Sequence, residues 1–170
     1  MPRISLIDPN QASPEVRAAI DDHLSQGYRL TNEKLTLLHN VTAFEALEAK
    51  SYELDRELQK FVGKRAADFF EYAISTENDC LVCSAYFAKL LRRNGIEDFD
   101  SFDFTEDEKL LVAYGRAIAR DPKAVPEALT DALKARFGEE GLVVITTMGV
   151  FMIANNYFND ILQVEPETIE

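Results

Sequence analysis

A chain of 170 residues and 19.2 kDa, 46% hydrophobic and 28% charged, has the size and composition of one globular domain with its own core. Thirty acidic residues against 18 basic ones leave a formal charge of −12, which repels phosphate backbones and anionic lipid and argues against nucleic acid or a membrane surface as partner. Two cysteines are too few for a secreted disulfide framework, and MPRISLIDPNQASPEV holds no apolar run of signal-peptide length, so a cytoplasmic protein is expected.

Helix punctuation runs through the sequence, and only Arg3 to Ile7 hints at strand alternation. Ser13-Pro14-Glu15, a hydroxyl cap followed by proline at the first helical position, predicts a helix that stops at Gly27. Asn32 reads as the cap of a short helix bearing Leu35, Leu38 and His39. Thr42-Ala43-Phe44-Glu45 reads as a capping box that opens a longer helix with Phe44, Leu47, Tyr52, Leu54 and Leu58. Lys64 to about Thr76 forms the next helix, and Asp79 to Asn94 another, closed by Gly95.

The acidic link IEDFDSFDF then carries Phe99, Phe102 and Phe104, which are expected to pin the crossover to the core. Thr105 to Glu108 is a second capping box, and Leu110, Leu111, Ala113, Tyr114, Ala117 and Ile118 mark an apolar face that ends before Asp121-Pro122. Pro126 starts a helix closing at Gly138, and a last helix runs from about Glu139 to Leu162. Its apolar stretch, Leu142 to Ala154, is shorter than the ~20 residues a bilayer crossing needs. Such a stretch belongs in the bundle centre or in a subunit interface. The whole predicts one all-α domain over residues 1–170, with about seven or eight helices.

The one local motif with chemical content is Cys80-Leu81-Val82-Cys83. With Asn78 or Asp79 as cap, both cysteines occupy the first helical turn, where free N–H groups and the positive dipole end stabilise a thiolate. Their spacing also puts the two sulfurs on one face, within reach of a disulfide, while Glu77 and Asp79 oppose the thiolate. Three plainer roles compete: small core residues, half of a zinc site, or a structural disulfide. Zinc is disfavoured because no second CxxC exists and His23 and His39 lie far upstream.

In the preceding helix, Asp68, Glu71 and Ser75 share a face, read either as a carboxylate source or as a solvated stripe, with Glu71 expected in solvent. Tyr86 could present a phenol beside the second sulfur or simply belong to the core. Lys89, Arg92 and Arg93 suit the last turn of the cysteine helix by their charge.

An acidic residue, eleven others, CxxC at a helix start and a capped helix pair together resemble the AhpD-like alkylhydroperoxidase and carboxymuconolactone decarboxylase family. The segment from Phe104 to Leu162, with Asn155, Asn156 and Asn159 near its end, is similar to the second half of the peroxidase-related members. The resemblance covers a core of residues 35–164, behind an N-terminal extension of residues 1–34. It implies an AhpD-like helical bundle that assembles as a trimer or hexamer and reduces a small hydroperoxide, with no bound cofactor. The oxidised pair would be restored by an external dithiol or lipoyl-type donor.

By the same resemblance Cys83 is the peroxidatic cysteine and Cys80 the resolving one. The family's proton relay uses a glutamate twelve positions before the first cysteine and a histidine four after the second. Here those places hold Asp68 and Phe87, so Glu71 or Tyr86 would have to take over the proton, or the peroxidase activity is weak. The alternative is a non-catalytic or redox-sensing member of the fold. The decarboxylase branch fits less well, because its members generally lack the cysteine pair.

Overall fold

A computed structural model describes residues 1–167, the side chain of Ala49 excepted; residues 168–170 of the expected domain lie outside the described residues. A short 3-10 turn, Pro9–Gln11, precedes seven helices: α1 (Pro14–Ser25), α2 (Asn32–Leu37), α3 (Val41–Val62), α4 (Lys64–Glu77), α5 (Leu81–Arg93), α6 (Glu106–Arg120) and α7 (Glu127–Leu162). No strand occurs among the described residues. The stretch from Arg3 to Ile7 instead spends its backbone on helix ends, with Arg3 N–H donating to the Leu162 carbonyl at 3.0 Å and Ile7 N–H to that of Leu35 at 3.1 Å.

The caps explain where the helices begin. Ser13 caps α1, and Thr105 and Glu108 close the expected capping box on α6, each side chain accepting from the other's backbone N–H. Three starts are shifted, that of α5 at the cysteines and two earlier ones. Thr31, not Asn32, caps α2, and α3 opens at Val41 because Asn40 Oδ1 accepts from Ala43 N–H at 2.9 Å, which leaves Thr42 inside the helix. Gly138 (φ 74, ψ 178) interrupts α7, so its two limbs match the two helices expected on either side of that glycine.

Helix α4 lies at the centre, against α3, α5, α6 and α7. Phe70, Ile74, Leu111 and Ile145 are fully enclosed there, at about 1.5–3 kcal/mol of burial each. The acidic link is pinned as expected: Phe69 of α4 meets Phe99, Phe102 and Phe104 edge-on, at 5.5, 5.4 and 5.2 Å between ring centres. Residues 1–34 are part of the same body, since Ile20 of α1 packs with Leu37, Leu38 and Phe44, and Phe158 of α7 closes over them.

The second limb of α7 is buried on one face only. Ile145, Met148, Met152, Asn156 and Asn159 point inward. Val143, Val150, Tyr157 and Ile161, each more than half exposed, form a stripe with Thr147 and Ala154 on the other side. An 18-residue window of α7 reaches a mean hydropathy of 1.5 and could cross a membrane by length and composition, although its inner face is committed to α3, α4 and α6.

Candidate active site

The corner between α4 and α5 sets the cysteines. Asn78 closes α4, Asp79 takes the left-handed conformation (φ 56), and Cys80 N–H returns to the Ser75 carbonyl at 3.1 Å, the pattern of a Schellman stop. A non-glycine residue there costs about 1–2 kcal/mol, least for Asp and Asn, whose short polar side chains tolerate it. Cys80 itself, rather than Asn78 or Asp79, therefore occupies the cap position of α5, and Cys83 sits in its first turn.

Cys80 is fully enclosed, whereas Cys83 lines a cavity of about 390 Å³. Both thiols are free and lie within hydrogen-bonding reach of one another. That contact holds the Cys80 thiol below its ordinary value, aided by the backbone N–H groups of Val82 and Cys83. The same contact pushes the Cys83 thiol up, followed by burial and the charge of Glu33; Asn159 opposes this by donating its Nδ2 amide to Cys83 Sγ at 3.3 Å. The two thiols therefore titrate as a pair, with the shared proton favoured on Cys83. Val164, which follows the left-handed Gln163 that ends α7, shares a buried apolar cluster with both cysteines and Val82.

The expected relay residues line this cavity, but none is hydrogen-bonded to a sulfur. Asp68 accepts from Lys64 Nζ at 3.0 and 2.9 Å, one helical turn away, and burial raises its carboxyl despite the lysine. Glu71 is not the solvated residue its spacing suggested. It is buried with Oε1 unpartnered, and burial, then the charges of Asp55 and Asp68, hold its carboxyl well above the usual range.

Tyr86 is half exposed at the cavity wall rather than in the core; its phenol is raised by burial and by Glu71. Phe87, in the relay-histidine place, is an apolar wall that meets Tyr86 edge-on at 5.2 Å. The histidines serve structure elsewhere: His23 pairs with the Arg29 carbonyl at 3.2 Å, and His39 with that of Ser5 at 2.7 Å. No cluster of three metal-ligating side chains occurs among the described residues.

Sequence reasoning missed Glu33. An acidic residue in the first turn of a short helix reads as a favourable dipole charge, and nothing in the sequence links α2 to the cysteines. The structure does, because Asn32 N–H donates to Glu167 Oε1 and Asn32 Nδ2 to the Glu165 carbonyl, both at 2.9 Å, tying α2 to the chain beyond α7. Glu33 then lines the cavity with Oε1 buried and unpartnered. Its carboxyl is raised to about 7 by burial and by Glu48, against Asn159 and Lys34.

Tyr28 and Tyr52 stack at 3.6 Å on the same wall, and Lys34 bonds the Tyr52 hydroxyl. Val82, Leu90, Met148 and Met152 supply apolar surface. The arrangement offers a sulfur on the cavity wall, a second, fully enclosed sulfur beside it, and one carboxyl, that of Glu33, that holds its proton to about pH 7. Comparison with protein-family models, curated proteins and solved structures finds no match to this chain.

Proposed function

We propose that this chain is an AhpD-like dithiol oxidoreductase of the cytoplasm that reduces small hydroperoxides. The observation that carries the reading is the free thiol pair at the start of α5, with Cys83 lining a cavity and Cys80 fully enclosed beside it. In the singly ionised pair the proton of Cys83 passes to Cys80, and the Cys83 thiolate attacks the outer oxygen of the hydroperoxide. An S–O bond forms as the O–O bond breaks, the alkoxide takes a proton to leave as alcohol, and Cys83 becomes a sulfenic acid. The Cys80 thiol then displaces water to give the disulfide, and an external dithiol or lipoyl-type donor returns both thiols while becoming a disulfide itself.

The chain is further proposed to self-associate, as a trimer or hexamer, through the uncovered stripe of α7. A redox-sensing role without turnover is the second reading, favoured by Phe87, which removes any proton carrier from the relay-histidine place. The two separate in a coupled assay with a dithiol donor. Turnover that Cys83→Ser abolishes, and that Cys80→Ser halts with a dimedone-reactive sulfenic acid at Cys83, supports the enzyme. A reversible disulfide without sustained consumption of hydroperoxide supports the sensor.

A further inference from the structure

We propose that Glu33 is the acid that protonates the departing oxygen when Cys83 opens a hydroperoxide. The inference rests on the dithiol reading above and adds to it a residue from α2, outside the segment that carries the family resemblance. Glu33 lines the same cavity as Cys83, and its Oε1 is enclosed without a partner. Its carboxyl reaches the Asn159 side chain, whose Nδ2 stands 3.3 Å from Cys83 Sγ, so acid and nucleophile flank one amide group. The other candidates are less well disposed: Asp68 is held by Lys64, Phe87 carries no proton, and among the carboxyls it is Glu33 whose charge weighs most on Cys83.

The groups that face Glu33 come from every side: Lys34 on its own helix, Glu48 from α3, Cys83 from α5, Asn159 from α7 and Glu167 beyond it. Burial and the two neighbouring carboxylates keep a proton on Glu33 up to about pH 7, the range in which a general acid is most useful. In the step itself the Cys83 thiolate bonds the outer oxygen, the O–O electron pair moves to the inner oxygen, and the Glu33 proton completes the alcohol. The thiolate charge ends on the Glu33 carboxylate, and the medium returns the proton afterwards.

The test compares wild type, Glu33→Gln and Glu33→Asp in single-turnover oxidation of the reduced protein by cumene hydroperoxide across neutral pH. Alkylation of Cys83 by iodoacetamide is followed alongside, because iodide leaves without a proton. The expected result is a loss of about 10²–10⁴-fold in oxidation for Glu33→Gln, with the fall in rate above about pH 7 abolished. Alkylation stays within a few-fold of wild type, and Glu33→Asp recovers part of the oxidation rate. Wild-type oxidation and an unchanged pH limb in Glu33→Gln overturn this inference and leave the dithiol reading standing. Equal losses in oxidation and alkylation overturn the acid role by making Glu33 a positioning residue for the thiol. A wild-type protein inert to hydroperoxide overturns both.

Discussion

Asn159, one helical turn from the end of α7, donates its side-chain amide to the sulfur of Cys83 in the first turn of α5. This bond opposes the other influences that keep Cys83 protonated. Asn159→Ala is expected to raise the Cys83 thiol further and slow its alkylation at neutral pH. The change also leaves buried polar surface without its donor, at about 1–3 kcal/mol of stability. Thermal denaturation and the pH profile of thiol alkylation check the two effects separately.

The buried carboxyls make stability depend on pH. Glu33 and Glu71 are held above their unfolded value of 4.5, so each favours folding while protonated. That contribution is complete below about pH 4.5 and is lost as pH rises through the folded value. For Glu33, raised to about 7, the loss amounts to roughly 3 kcal/mol by the time it is ionised. Glu71→Gln is expected to raise the Tm above neutral pH and flatten its decline between acid and alkaline buffers. A Tm profile that keeps its wild-type slope in this variant would place the dependence elsewhere.

At Gly149, α7 packs against Ile118 and Phe70 with no room for a side chain. A methyl group there would overlap Ile118 Cδ1 and stand 3.0 Å from Phe70 Cζ, two side chains enclosed in the central core. Gly149→Ala is expected to destabilise the fold by about 1–3 kcal/mol despite alanine's better helix propensity. Urea unfolding provides the measurement, with a lowered midpoint and an unchanged m-value as the expected signature.

Val143, Thr147, Val150, Ala154, Tyr157 and Ile161 recur at alternating intervals of four and three residues, the spacing of a helical seam made to meet another helix. If a second copy covers this seam, Val150→Glu combined with Tyr157→Lys dissociates the assembly and leaves the monomer folded. Light scattering on wild type and variant at micromolar concentration decides it. A wild-type protein that is already monomeric there removes the self-association proposal.

Much of the fold was legible because the sequence states it locally. The proline and hydroxyl before α1, the box at Thr105 and Glu108, and the break at Gly138 act within a few residues of themselves. Where a neighbouring residue could also take the cap, the expected start was displaced: Asn40 caps α3 where Thr42 was expected, and Cys80 takes the cap position of α5 where Asn78 or Asp79 was expected. The cysteine pair was legible for the same local reason. The acid that sits with it was not, because Glu33 and Cys83 meet only through tertiary packing and the clasp between Asn32 and the chain beyond α7. The burial of Glu71 was hidden similarly, since helical spacing gives a face but does not say what covers it.

That clasp has a consequence for synthesis. Asn159, Val164 and Glu167 reach the cysteines and α2 only after every other part of the site has been made. A growing chain therefore carries its dithiol unshielded from the moment α5 emerges until the residues after Asn159 follow it. During that interval the two sulfurs are open to oxidants and to other nascent thiols, and the part of the site that is translated last is the one that covers them.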